Sequence, residues 1–307
     1  MKKIVVIGNC QMVPIGNNIM STPEITEKYT LFQGRSVHMI TEQQVKDLHN
    51  HIALCDILVC THVNEGYRNG IGVDTNHLIS LAKKSEKIII VPTIYWEGQT
   101  PELFYMKNFD GSNNAEIFDY HNKIIFLSYL RGYSIEKTVS ELLDGEKVSF
   151  NTKLIENTNN RLIKREKDIK QKYECFMESE IVNIEFSDFI IRNYTSSRLF
   201  WTFNHPSAFL LNYVSELIIN SIVDNSTTNM ISEELLDVSF FPLLKGVYTA
   251  LKCNFEDNRH FRVRKKYYSP FDIVNLYFEF YHKNSNLVTH NQKGIMERND
   301  GLFYSES

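Results

Sequence analysis

The chain has 307 residues, with 33 Lys and Arg against 37 Asp and Glu and a formal net charge of −4. That balance excludes bulk attraction to nucleic acid or an anionic membrane. With 43% hydrophobic and 23% charged residues, the chain is neither disordered nor fibrous.

The N-terminal MKKIVVIGNCQ holds an apolar run of only Ile4–Ile7, too short for the core of a signal peptide. Because no stretch approaches the roughly 20 apolar residues of a transmembrane helix, no integral membrane segment is expected. Five cysteines, Cys10, Cys55, Cys60, Cys175 and Cys253, are odd in number and form no CxxC pair. They argue against a disulfide framework or a structural metal and for a reducing, cytoplasmic compartment, with any membrane association peripheral to the inner membrane.

Residues 3–8 read as a buried parallel strand ending at Gly8, and a helix follows that tolerates Pro14 only in its first turn. A weak second strand spans 30–33, a helix 42–49, and a third strand Asp56 to Cys60. A helix over 74–84 is capped by Asp74 or Thr75, and Lys87 to Val91 is a fourth strand stopped by Pro92. Ile124 to Ser128 reads as a fifth strand, and Ser134 caps a further helix. Strands alternating with helices predict an α/β fold, a parallel sheet flanked by helices. In such a sheet the loops after Ile7, Cys60 and Val91 share one rim, where ligands bind.

Near residue 150 the character changes. Residues 152–176 form a charged helical stretch that reads first as a solvated face and second as a phosphate-binding element. Arg198 to Phe203 is a strand, Pro206 to about Ile222 a helix and 223–234 a loop, and the aromatic YYSPFDIVNLYFEFYH is helical. The division expected is an α/β catalytic domain over 1–222, including the charged segment, with a helical, aromatic-rich C-terminal extension over 223–307 packed on it.

Gly8-Asn9-Cys10-Gln11 stands at a strand end and opens a helix. Free N–H groups there favour a thiolate, lowering the thiol pKa, and offer an oxyanion cradle. Asn9 and Gln11 add amide donors that do not titrate. The same turn lacks the later glycines of a dinucleotide fingerprint, and no GxxxxGK[ST] loop is present. A thiol nucleophile needs a base. His205, in TFNHPS between a strand and a helix, is the first candidate. His62, after the third strand, is the second, with Asn64 beside it as an oxyanion donor. No second pair completes a metal-ligand set around Cys60 and His62.

These segments resemble two groups. IVVIGNCQ, THVNEG and NHPS are similar to the nucleophile, asparagine and histidine blocks of SGNH/GDSL hydrolases, with Cys10 in place of serine, Asn64 matching the asparagine and His205 the histidine. That group commonly has Asp three residues before the histidine, where this chain has Thr202. GNCQ, PTIYWEGQTPELFY at 92–105 and RLFWTFNHPS at 198–207 together resemble the WcbI family of polysaccharide-biosynthesis acetyltransferases over roughly residues 1–220. The resemblance implies coenzyme A or acetyl-coenzyme A as thioester partner and a carbohydrate acceptor, in O-acetylation of capsular or other surface polysaccharide.

On that reading Cys10 and His205 meet at one edge of the sheet as the catalytic pair. Asn9, Gln11, Asn64, His62, Asn204 and Trp96 hold oxyanion or substrate, with Tyr95 and Tyr105 available for stacking. Arg35, Arg131, Lys164, Arg165 and Arg198 are the candidates for the coenzyme phosphates. A thiol esterase or deacetylase, and a non-catalytic coenzyme A or glycan-binding subunit, remain the alternatives. A homo-oligomer is left open.

Overall fold

A computed structural model describes residues 1–144, 148–150, 152–174, 180–224, 232–257, 260–297 and 302–304. Cys175 and most of the expected loop over 223–234 lie outside them. Two compact units emerge, each assembled from three stretches of chain. The first comprises Met1–Tyr95, Arg161–Ile191 and Pro206–Leu236, and the second Trp96–Asn160, Arg192–His205 and Asp237–Ser307.

The first unit is built on a five-stranded, all-parallel sheet. Strands β1 (Lys2–Ile7), β2 (Tyr29–Gln33), β3 (Ile57–Thr61) and β4 (Lys87–Val91) take the order β2-β1-β3-β4. The fifth strand, Glu180–Asn183, pairs with β4 from Lys87↔Glu180 to Ile90↔Asn183. Ile4–Ile7, Leu58–Cys60 and Ile88–Ile90 are inaccessible, as expected of strands covered on both faces.

Helices α1 (Met12–Met20), α2 (the single turn Pro23–Thr26), α3 (Glu42–Ala53) and α4 (Thr75–Leu81) connect the strands. A capping box opens α3: the Thr41 hydroxyl accepts from the Gln44 N–H while the Gln44 side chain accepts from the Thr41 N–H. Asp74 caps α4 by accepting from the His77 N–H at 3.0 Å. Val45, Leu48 and Ile52 of α3 and Leu78 and Ile79 of α4 pack with Val5, Leu58 and Ile88 in one core cluster that also takes in Tyr173. The charged stretch forms the helix Thr152–Tyr173, and Ala208–Ile222 packs on α1.

The second unit holds a short antiparallel pair, Leu103–Phe104 with His121–Asn122, and helices Lys123–Leu130, Ile135–Asp144, Pro270–Lys283 and Ser285–Glu297. The expected strand over Ile124 to Ser128 is therefore helical. Asn122 accepts from the N–H groups of Ile124 and Ile125, and Ile124, Ile125, Phe126 and Ser128 are all buried. A short, wholly apolar run lacks the periodicity that separates a buried strand from a buried helix, and the asparagine cap settles it. Helix Pro270–Lys283 packs on Lys123–Leu130 and Ile135–Asp144, with Tyr281 against Phe126 and Tyr129. The expected strand Arg198 to Phe203 is reduced to Phe200–Thr202. No helix among the described residues is long and apolar enough to cross a membrane.

Candidate active site

Because the sheet is all-parallel, the loops after Ile7, Gln33, Thr61 and Val91 leave it at the same rim. At the end of β1, Gly8 allows a close approach: a Cβ there would lie 2.2 Å from Thr61 Oγ1 and 2.6 Å from Met12 Cγ. The chain then turns, with the Met12 N–H donating to Asn9 O at 3.1 Å. Asn9 Oδ1 accepts from the Gln11 N–H at 3.0 Å, so this side chain organises the turn. Gln11 is only 2% exposed. Its Nε2 donates to Ile94 O at 2.7 Å and its Oε1 accepts from Ile94 N at 3.0 Å, fastening the loop after β4 to the Cys10 turn.

Cys10 is half-buried at this turn. The expected low thiol pKa is not found. Burial raises it above the ordinary value, outweighing the N–H groups of Cys10 and Gln11, which pull it down. The helix terminus exerts the expected effect, but desolvation is larger. Beside this turn the Thr61 hydroxyl is 2% exposed and has no hydrogen-bond partner among the described residues.

Past β3, the His62 N–H donates to Val91 O at 2.9 Å. Its Nδ1 lies 3.1 Å from the Tyr173 hydroxyl and its Nε2 3.1 Å from Asn64 Oδ1. Burial, then the Lys172 charge, lower the His62 pKa. Asn64 itself is exposed at the rim.

The basic candidates separate sharply. Arg35 is exposed in the loop after β2, which is stitched to β1 by the Gly34 N–H to Val6 O and the Val37 N–H to Gly8 O, both 2.8 Å. Lys164 is exposed and paired with Asp168 at 2.7 Å, on the solvated face of its helix. Arg165 donates to the carbonyls of Thr93 and Tyr95 and stacks over the Tyr95 ring. In the second unit Arg131 is an exposed helix C-cap. Arg198 is a correction to the phosphate-binding set. It is 9% exposed and donates to Phe200 O, Phe241 O and Asp257, which makes it a structural clamp.

His205 in the second unit follows a turn built by Asn204. Asn204 Oδ1 accepts from Tyr120 and from Thr202 Oγ1, and its Nδ2 donates to Tyr105 Oη at 2.9 Å. Tyr120 meets the His205 ring edge-on and reaches its Nε2 at 3.4 Å. With the Tyr120 proton directed to Asn204, the phenol oxygen accepts from His205 Nε2–H, which leaves Nδ1 as the nitrogen without a proton. Nδ1 is buried and has no hydrogen-bond partner among the described residues. Burial pushes the imidazole pKa down to about 4.

Trp96 is the second correction. It is fully buried, donates Nε1–H to Asn159 at 2.9 Å and packs against Tyr194 and Phe200. At Gly98 the backbone passes close to this indole: a Cβ at 98 would lie 2.1 Å from the ring. Tyr105 stacks on Tyr120. The sequence reading missed Tyr120, Tyr173 and Thr61, because a lone buried hydroxyl carries no motif and its partner comes from distant sequence.

A family model described as the polysaccharide biosynthesis enzyme WcbI matches residues 3–223. No curated protein matches the chain. A solved structure of WcbI, described as a novel polysaccharide biosynthesis enzyme in a native form without a disulfide bond between coenzyme A and one of its cysteines, is similar at a TM-score of 0.78. It shares 18% identity, with 97% of this chain and 96% of that one covered, a likeness of fold. With the family match taking in most of the 307 residues, the chain belongs to the WcbI family of polysaccharide biosynthesis enzymes.

Proposed function

We propose that this protein transfers an acyl group, acetyl in the simplest case, from coenzyme A to a sugar hydroxyl in the biosynthesis of capsular or other surface polysaccharide. The observation that carries the reading is Nδ1 of His205, a buried imidazole nitrogen with no hydrogen-bond partner among the described residues and free of its proton at neutral pH. Such a nitrogen is suited to take the proton of an acceptor hydroxyl.

The first unit fits the thioester. The Cys10 turn offers a half-buried thiol at the start of α1, which has no acidic residue in its first turn, and the Thr61 hydroxyl beside it has no hydrogen-bond partner among the described residues. Bound acyl-coenzyme A would supply the activated acyl group and leave as the free thiol; the Cys10 turn would line its thioester end, and Arg35 is an exposed cation of this rim available to its phosphates. Main-chain N–H groups at the Cys10 turn and the Asn64 amide are assigned to the oxyanion. Asn9 and Gln11 are assigned to building the turn. Because burial keeps Cys10 protonated, direct transfer to the sugar is favoured over a covalent acyl-cysteine.

Thioester turnover by Cys10→Ser and His205→Ala tests this. Direct transfer predicts a modest loss for Cys10→Ser and a loss on the order of a hundredfold or more for His205→Ala. Full activity in both refutes the assignment. Product analysis with and without a sugar acceptor separates transfer from the esterase alternative. Coenzyme A binding without turnover on any sugar would mark a binding subunit.

A further inference from the structure

We propose that Tyr173 is a positioning residue that, through His62, fixes which end of the Asn64 amide faces the rim of the sheet. The inference rests on the acyl-transfer reading, in which Asn64 donates to the oxyanion, and adds a group that no sequence motif marks.

The argument is one of hydrogen-bond polarity. The His62 main chain is fixed by its N–H to Val91 O at 2.9 Å, so the ring hangs from a rigid strand end. Nε2 lies 3.1 Å from Asn64 Oδ1, and a carbonyl oxygen only accepts, so Nε2 carries the hydrogen. A neutral imidazole has one N–H, so Nδ1 is the acceptor and takes the Tyr173 O–H at 3.1 Å. The chain of bonds therefore runs from Tyr173 O–H to Nδ1 and from Nε2–H to Asn64 Oδ1. With Oδ1 turned inward, the Nδ2 hydrogens are the outward end, the end an oxyanion requires.

Tyr173 is built to hold that polarity. It is fully buried in the last turn of helix Thr152–Tyr173, within the core cluster of the sheet, and meets the His62 ring edge-on at 5.8 Å. The charged and titratable groups around the pair are Lys172, Glu65, Asp74 and Cys60, with the Thr75 hydroxyl against the phenol. Burial raises the phenol to about 12, so it remains a donor, and burial with Lys172 keeps His62 neutral. Packing alone would be satisfied by phenylalanine; only the hydroxyl selects a tautomer.

The test combines nitrogen-15 NMR of His62 in the ligand-free protein with kinetics. Wild type is expected in the Nε2–H tautomer, and this measurement needs no variant to fold. An Nδ1–H tautomer overturns the proposal, because the amide would then present its oxygen. Tyr173→Phe should mix the tautomers, lower kcat roughly tenfold with the KM for acetyl-coenzyme A unchanged, and add nothing to Asn64→Ala in the double variant. A fully active Tyr173→Phe alongside an impaired Asn64→Ala overturns the role of Tyr173 while sparing that of Asn64. A fully active Asn64→Ala removes the oxyanion role itself, and the positioning role with it.

Discussion

Both amide atoms of Gln11 close on the main chain of Ile94, Nε2 on its carbonyl at 2.7 Å and Oε1 on its N–H at 3.0 Å. A glutamine beside the candidate thiol thus works as a rivet between two loops of the rim. Removing it leaves a buried N–H and a buried carbonyl unpaired, at a cost of about 1–3 kcal/mol. Gln11→Ala should lower the urea midpoint accordingly. An unchanged midpoint would mean the loops hold without the rivet.

Alkylation of Cys10 should be slow at neutral pH and accelerate only in alkali, because burial raises its pKa. Iodoacetamide labelling of the ligand-free protein, followed on the Cys10 peptide by mass spectrometry, should give a midpoint above that of the denatured chain. A midpoint below it would mean that the helix terminus outweighs desolvation after all.

Acid should destabilise the second unit through His121. Its Nδ1 lies 3.0 Å from the Tyr281 hydroxyl, and burial pushes its pKa down to about 3. Below about pH 6.5 the unfolded chain takes a proton that the folded ring refuses, so stability falls as pH drops from there toward 3. Glu102, raised by burial to about 7, has the opposite sign: its contribution is full below about 4.5 and is lost as pH rises through 7. Between pH 7 and pH 5, wild type should therefore lose about 2 kcal/mol relative to His121→Phe in urea unfolding. Parallel pH dependences in the two proteins would contradict this.

Arg198→Met should cost roughly 3–5 kcal/mol, since it leaves the buried Asp257 carboxylate without its cation and loses the fork to two carbonyls. Coenzyme A affinity, measured by calorimetry on the folded variant, should not change. A variant of unaltered thermal stability with weakened binding would return Arg198 to the phosphate-binding candidates.

The sheet was legible in Ile4–Ile7, Asp56 to Cys60 and Lys87 to Val91 because buried parallel strands write themselves as β-branched runs. Ile124 to Ser128 looked the same, and only the Asn122 cap tells that it coils. The fifth strand was not legible: EIVN at 180–183 is too short and polar at its ends to stand out. In the candidate site, residue type pointed to Cys10, Asn64 and His205, whereas Tyr120 beside His205 and Tyr173 beside His62 are contributed from remote positions. For two of the basic candidates, sequence could not say whether a guanidinium meets water or carbonyls. Arg198 and Arg165 meet carbonyls.

The strand Glu180–Asn183 pairs with β4, which ends at Val91, so the open side of β4 waits for residues made much later. At ribosomal rates the gap between the two amounts to roughly 5–20 s. For that interval the nascent chain carries the bare backbone edge of Lys87–Val91, an invitation to pair with a neighbour on the same polysome. High-copy expression should therefore lose more of this protein to inclusion bodies than slow expression at low temperature, and chaperones that bind extended apolar segments should crosslink to nascent chains shorter than 183 residues.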